Sequence, residues 1–268
     1  MKKYLIVLFL LITVTVSSRD RISLSENTII QKMDSIKAEG NELYAHEIAS
    51  WVATDLARED VRLQNEYGSY LTYFDSGKIK SVIIDKDLKN VLGEYEFQRD
   101  SMMPVKEIVR KRTLSDTETN LMKVRENIFH QLADEKYAIK TSRGFNPNLI
   151  VLPFQNGYKA FLIFGTSEPN IIPLGNDYYF RTDASGKITE WRKLHAGFIP
   201  LLAKDNTGRT AKAIVHNHLQ GNTFISSTDI CTFKLYGTFL EVDECKVYSF
   251  DLNCVFTYNR ITDTLTKE

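Results

Sequence analysis

The chain reads as an α+β protein: a small N-terminal helix with an antiparallel meander, then a C-terminal region with a mixed sheet between two helices. Three observations predict this. Apolar residues recur at helical spacing within Glu42–Glu59, where Ile48, Trp51, Val52 and Leu56 stand with charges between them. From Tyr67 to Phe97 the pattern changes to short β-like runs, with Asp75-Ser76-Gly77 as a hairpin turn signal. Beyond residue 113, short strand candidates lie between two further helical patterns.

Taken in order, Tyr70–Phe74, Lys78–Asp85 and Val91–Phe97 are the three expected strands of the meander. Residues 99–113 are charged and irregular, carry Pro104, and read as a connector. Ser115-Asp-Thr-Glu118 is a capping-box pattern. It opens a helix with Leu121, Val124, Ile128 and Leu132 on one face. Strands are expected at Tyr137–Thr141, Leu149–Phe154, Tyr158–Gly165 and Asp177–Thr182. The turn Asp183–Gly186 then leads into Lys187–Leu194. Ala211–Val215 is another strand, and Thr228–Tyr236 a helix with Gly237 as its stop. Lys246–Phe250 and Cys254–Tyr258 close the sequence. The expected organisation is a leader over residues 1–18, a helix-and-meander region over 19–112, and a C-terminal domain over 113–268. No internal repeat occurs.

Composition excludes several classes. The chain has 268 residues, 43% of them hydrophobic and 25% charged, so it is long enough for a core and not disordered throughout. Lys+Arg and Asp+Glu both number 34, and a zero net charge argues against a nucleic-acid partner. Lys2 and Lys3 precede the uncharged run Tyr4–Val16, which falls short of the ~20 residues a spanning helix needs. With Val16 and Ser18 ahead of a cleavage point, the run reads as a secretory signal; a short uncut anchor is the other reading. Removing residues 1–18 leaves 32 basic against 34 acidic residues. The mature protein is therefore expected in the periplasm or outside the cell, without stable membrane insertion. Of the three cysteines, Cys245 and Cys254 either pair in an oxidising compartment or stay as thiols, and Cys231 behaves as a small hydrophobe.

The chemistry-bearing segment runs from Ala213 to Thr232. His216 and His218 stand two apart, so on a strand both imidazoles project to one face and can converge on one ion. A seven-residue excursion follows, then Ser226, and Asp229 falls in the first turn of the next helix, where a carboxylate is favoured. Folding that helix back on the strand would give His216, His218 and Asp229 as three metal ligands. A fourth position would stay open for water, as in catalytic zinc sites. Ser226 and Asp229 also form an ordinary helix start.

This His-x-His, seven residues, Ser, two residues, Asp spacing resembles the JAMM (MPN+) metalloprotease motif. The resemblance covers roughly residues 113–268 and implies a JAMM-like C-terminal domain with zinc (Zn2+) as cofactor. It implies His216, His218 and Asp229 as zinc ligands, Ser226 as stabiliser of the tetrahedral intermediate, and an upstream glutamate as general base. Leu219 stands where the family usually has proline, and the apolar run Tyr158–Gly165 carries no acid. Glu168 and Glu190 are the two candidates for the base. The whole chain also resembles a family of secreted Bacteroidetes proteins, which implies no activity.

Two functions follow. One is a secreted zinc-dependent hydrolase of amide or isopeptide bonds in a peptide, protein or cell-wall substrate. The other is a non-catalytic binding or scaffold protein on the same fold, with a structural metal or none. Competing motifs are absent: His46-Glu47 lacks the second histidine of HExxH because Ser50 stands there, and no Walker A, GxSxG or dinucleotide fingerprint occurs. His195 is an extra ligand, a wall of the site, or an ordinary core or surface histidine. His130 reads as structural, and Trp51 and Trp191 as packing residues.

Overall fold

A computed structural model describes residues 23–99, 101–218 and 221–268; the expected leader at residues 1–18 lies outside them. The first element is a long helix, α1 (Glu26–Glu59), capped by Ser25, whose side chain accepts from the Thr28 N–H. It begins well before the expected Glu42, because Ile29, Met33 and Ile36 continue the helical spacing across Gly40. α1 serves two cores. Ala45, Ala49, Ala53 and Ala57 recur every fourth residue and face Ile79, Ile83, Leu92 and Tyr95. Ile29, Met33, Leu43 and Ile48 face the C-terminal core instead.

The meander that receives the alanine face has four strands, not three: β1 (Tyr67–Asp75), β2 (Lys78–Asp85), β3 (Asn90–Phe97) and β4 (Lys106–Thr113), paired antiparallel in that order. Ser76 and Gly77 both take positive φ, 51° and 84°, as a two-residue hairpin turn with strand-matching twist requires. β4 occupies the segment expected as a connector. Its Lys106, Glu107, Arg110, Lys111 and Arg112 hide the strand signal, and charge of this kind suits an edge strand.

Ser115 and Glu118 form the expected capping box of α2 (Asp116–Leu132). Glu118 also accepts a bidentate pair from Arg112, at 2.7 and 2.8 Å, and a bond from the Tyr73 hydroxyl at 3.0 Å. Burial works against the Glu118 charge. Arg112, the Ser115 N–H and Tyr73 outweigh it and pull the carboxyl down to about 2.

The expected strand at Tyr137–Thr141 does not form. Glu135–Tyr137 is a single 3-10 turn, and Ala138 follows with φ 48°. A second antiparallel sheet then contains β5 (Phe145–Phe154), β6 (Gly157–Thr166), β8 (Tyr178–Asp183) and β9 (Ile188–Lys193). One face packs on Val124 and Ile128 of α2; the other carries Ile150, Leu152, Phe161 and Ile163 into the C-terminal core. Two short strands were not anticipated, β7 (Ile171–Gly175) and β10 (Phe198–Leu202), which pair with each other. Pro173 and Pro200 stand opposite one another there, and proline weakens the strand signal.

The last unit is a mixed sheet, β11 (Ala213–Asn217), β12 (Glu244–Ser249), β13 (Cys254–Asn259) and β14 (Thr264–Lys267), with β11 and β12 parallel. The crossover between them is α3 (Ser227–Leu240). α3 runs through the expected stop at Gly237 and ends at Glu241, φ 60°. Gly237 serves close packing: a Cβ there would lie 3.0 Å from the Val242 carbonyl oxygen. Ile230 and Phe233 of α3 pack with Ile214, Val247, Phe256 and Tyr258 of the sheet. The architecture is α+β, as the sequence predicts. All three cysteines are buried and free. Register explains why Cys245 and Cys254 stay apart: Cys245 faces Tyr258, while Cys254 faces Ser249. Among the described residues, no helix is long and apolar enough to cross a membrane.

Replacing Glu118 by Gln removes the charge that Arg112 answers within a buried contact. The variant should lose about 2–4 kcal/mol at neutral pH, measured by chemical denaturation. The sign is fixed by the lowered folded-state pKa. This contribution is complete above the ordinary 4.5 of an unfolded glutamate and fades as pH falls toward about 2. The variant should therefore show a shallower acid limb.

Candidate metal centre

β11 alternates. Ile214 and His216 face inward, while Val215 and Asn217 face out. His218, just past the strand end, returns to the inner face and is buried. The chain comes back at Ser226, which caps α3. The Ser226 Oγ accepts from the Asp229 N–H at 3.0 Å, and Asp229 Oδ2 accepts from the Ser226 N–H at 2.9 Å. This reciprocal box aims Asp229 at the end of β11, because the parallel crossover sets the α3 N-terminus over the strand's C-terminal end. The close approach of α1 to α3 needs Gly40, where a Cβ would lie 2.7 Å from the Ile230 Cβ.

Four side chains meet here. His195, His216, His218 and Asp229 each offer an atom, all within 4.8 Å of one another, and all four residues are buried. His218 Nε2 lies 2.9 Å from Asp229 Oδ2 and 2.9 Å from His195 Nε2. Asp229 Oδ1 lies 3.1 Å from His216 Nε2 and 3.3 Å from His195 Nε2. Four donors around a tetrahedral cation at ~2.0–2.1 Å would sit ~3.3 Å apart; the short pairs approach that spacing, while separations in the cluster run up to 4.8 Å. His216 Nε2 and Asp229 Oδ1 make no hydrogen bond in the structure, although both are buried. Buried polar atoms left so are costly, and a shared cation would satisfy both at once.

The surroundings support the same reading. His195 Nδ1 lies 2.5 Å from Asp177 Oδ1. The carboxylate accepts, so Nδ1 carries the proton and Nε2 turns a lone pair to the cluster, as metal-ligating histidines do. Asp177 Oδ2 accepts in turn from the Thr228 hydroxyl at the start of α3. Burial opposes a charge on His195, yet Asp177 and Asp229 outweigh it and hold the imidazole well above its usual range, so a cation bound here would displace a proton from Nε2. Burial likewise opposes ionisation of Asp229, yet His195, His216 and His218 hold its carboxyl well below the usual range.

His218 and Ser226 also form part of the wall of a cleft of about 400 Å³, opposite α1 and the second sheet. The Ser226 hydroxyl is engaged there, 2.7 Å from Asp229 Oδ2. The two glutamates considered as general base do not line this cleft. Glu168 is exposed beyond β6, beside Gly144, and Glu190 is exposed on β9, opposite Arg181. Among the described residues, the acid in the cleft wall is Glu39 of α1, which accepts from Lys159 Nζ at 2.7 Å and from Ser227 Oγ at 2.8 Å. Glu39 and Asp177 escaped the sequence reading because only the fold carries them to the motif. His195 offered a weak signal as a histidine at the end of a strand. Its place in the cluster puts a fourth protein group where the sequence reading left a position for water.

No family model, curated protein or solved structure matches the chain.

Asp177→Asn should weaken metal binding by about 10–100-fold while leaving the four donors in place, read by competition with a chromogenic chelator. His216→Ala should abolish stoichiometric binding. Equal affinity in Asp177→Asn and the unaltered protein would show that Asp177 does not orient His195 toward a metal.

Proposed function

We propose that the protein is a secreted zinc-dependent hydrolase of amide bonds in a peptide, protein or cell-wall substrate. The observation that carries this reading is the cleft whose wall includes His218 of the cluster and Ser226 of the helix cap. Three imidazoles and one carboxylate are a nitrogen-rich, borderline-soft donor set that suits zinc. The His216, His218, Ser226 and Asp229 spacing adds the resemblance to JAMM metalloproteases, confined to the C-terminal part of the chain. Zinc at this site would polarise an amide carbonyl and bring the pKa of water toward ~7. Glu39, the acid of the cleft, would accept the proton, held in place by Lys159 and Ser227. Ser226 would donate to a developing oxyanion only by turning its hydroxyl away from Asp229. Asp177 would keep His195 in the correct tautomer.

A second reading is favoured by His195. With four protein ligands a tetrahedral zinc is complete, and a closed site of that kind is structural. The protein would then be a secreted binding or scaffold protein.

One series separates the two. The purified chain should hold one zinc, and a peptide-library digest should show cleavage that chelator and Asp229→Ala both abolish. Glu39→Gln should cut the rate by about 10²–10⁴-fold with zinc retained. Zinc without cleavage, together with a lower melting temperature in chelator, would support the scaffold reading instead.

A further inference from the structure

The cleft beside the metal cluster has a charge pattern that the hydrolytic reading leaves unused. On α1, Lys32, Ile36 and Glu39 recur at three- and four-residue spacing and so share the face that lines the cleft. Across from them, Phe161 of β6 and Tyr179 of β8 meet edge to face, with ring centroids 5.4 Å apart. Arg192 of β9 stands opposite Tyr179 in the sheet register, its guanidinium 5.1 Å from the ring centroid. Among the described residues, three cations thus line one cleft with a single acid, although the whole chain is formally neutral.

Pairing decides what remains. Glu39 answers Lys159. Among the described residues, neither Lys32 nor Arg192 has a carboxylate within 4.0 Å. Glu190 lies two residues along β9 from Arg192, but stands opposite Arg181. Lys32 and Arg192 are exposed in the cleft wall, whereas Phe161 is buried, so Ile36, Tyr179 and Phe224 supply the apolar surface a ligand can reach. A carboxylate in the cleft would be attracted by both positive charges, and an apolar neighbour would lie against that apolar surface.

We propose that the substrate of this cleft is a peptide carrying an acidic side chain next to an apolar one, with Lys32 and Arg192 as the residues that select the carboxylate. This rests on the hydrolytic reading of the same site.

The test uses fluorescein-labelled pentapeptides with phenylalanine beside a central Glu, Gln or Lys. Their anisotropy is followed with the zinc-loaded chain and with the chelator-treated chain. The Glu peptide should bind about fivefold or more tighter than the Gln peptide, and the Lys peptide weakest. Raising the salt should shrink the Glu-to-Gln ratio. In Lys32→Gln/Arg192→Gln the ratio should fall to about one, with zinc content and melting temperature unchanged. Equal affinities, tighter binding of the Lys peptide, no binding of any peptide, or a ratio that survives the double substitution would overturn the proposal. Zinc content and cleavage in the same samples keep the two ideas apart. Zinc and cleavage without a Glu preference remove this inference alone. A Glu preference in a chain that holds no zinc removes the hydrolytic reading and leaves the selection of acidic peptides standing.

Discussion

Buried polar atoms must be satisfied, and in this protein that rule bears hardest on three imidazoles and one carboxylate. Protons alone satisfy them poorly. His195 Nε2 and His218 Nε2 face each other at 2.9 Å, and one bond between them needs a proton on only one ring. That leaves His216 Nε2 and Asp229 Oδ1 without hydrogen bonds in a buried space. A single cation would receive every one of these lone pairs. The outer partners fit that arrangement. Asp177 fixes the His195 tautomer, Thr228 steadies Asp177, and the Ser226 cap fixes Asp229.

The rest of the fold can be read as support for that convergence. Asp229 comes from α3, His216 from β11, His218 from the strand end, and His195 from the segment after β9. Donors on separate elements meet only if the second sheet and the mixed sheet are packed in one register. α1 supplies much of that packing. Its apolar residues join the core shared by both sheets, its alanine face receives the meander, and Gly40 lets it approach α3 at Ile230. A helix expected to belong to a separate N-terminal unit thereby contributes Glu39 to the cleft beside the histidine–aspartate cluster.

How much of this was legible depends on how local each signal was. The two capping boxes, Ser115 with Glu118 and Ser226 with Asp229, could be read because each lies within four residues. The Ser76-Gly77 turn and the two-residue step from His216 to His218 were legible for the same reason. β4 was hidden by its charges, and β7 and β10 by Pro173 and Pro200, because an edge strand or a short pair tolerates residues that a central strand excludes. Gly237 misled in the opposite sense. Its small size serves packing against Val242 rather than a helix end. His195, Asp177 and Glu39 could not be placed from spacing at all, since their positions are set by sheet register and helix packing.

The fourth candidate ligand, His195, sharpens the relation between stability and chemistry at this site. His216, His218 and Asp229 lie within one strand–helix crossover, so the mixed sheet could assemble those three groups without the rest of the chain's sheets. His195 and Asp177 come from the second sheet and its edges. A metal ion bound by all four would cross-link the two sheets, and its binding free energy would become folding free energy for the junction between them. The same bond would occupy the place a substrate or water needs. The position of His195 therefore sets two demands against each other: a site that holds it firmly gains rigidity, and a site that releases it gains an open coordination position. The cleft reaches the cluster at His218, and His195 is not among its lining residues.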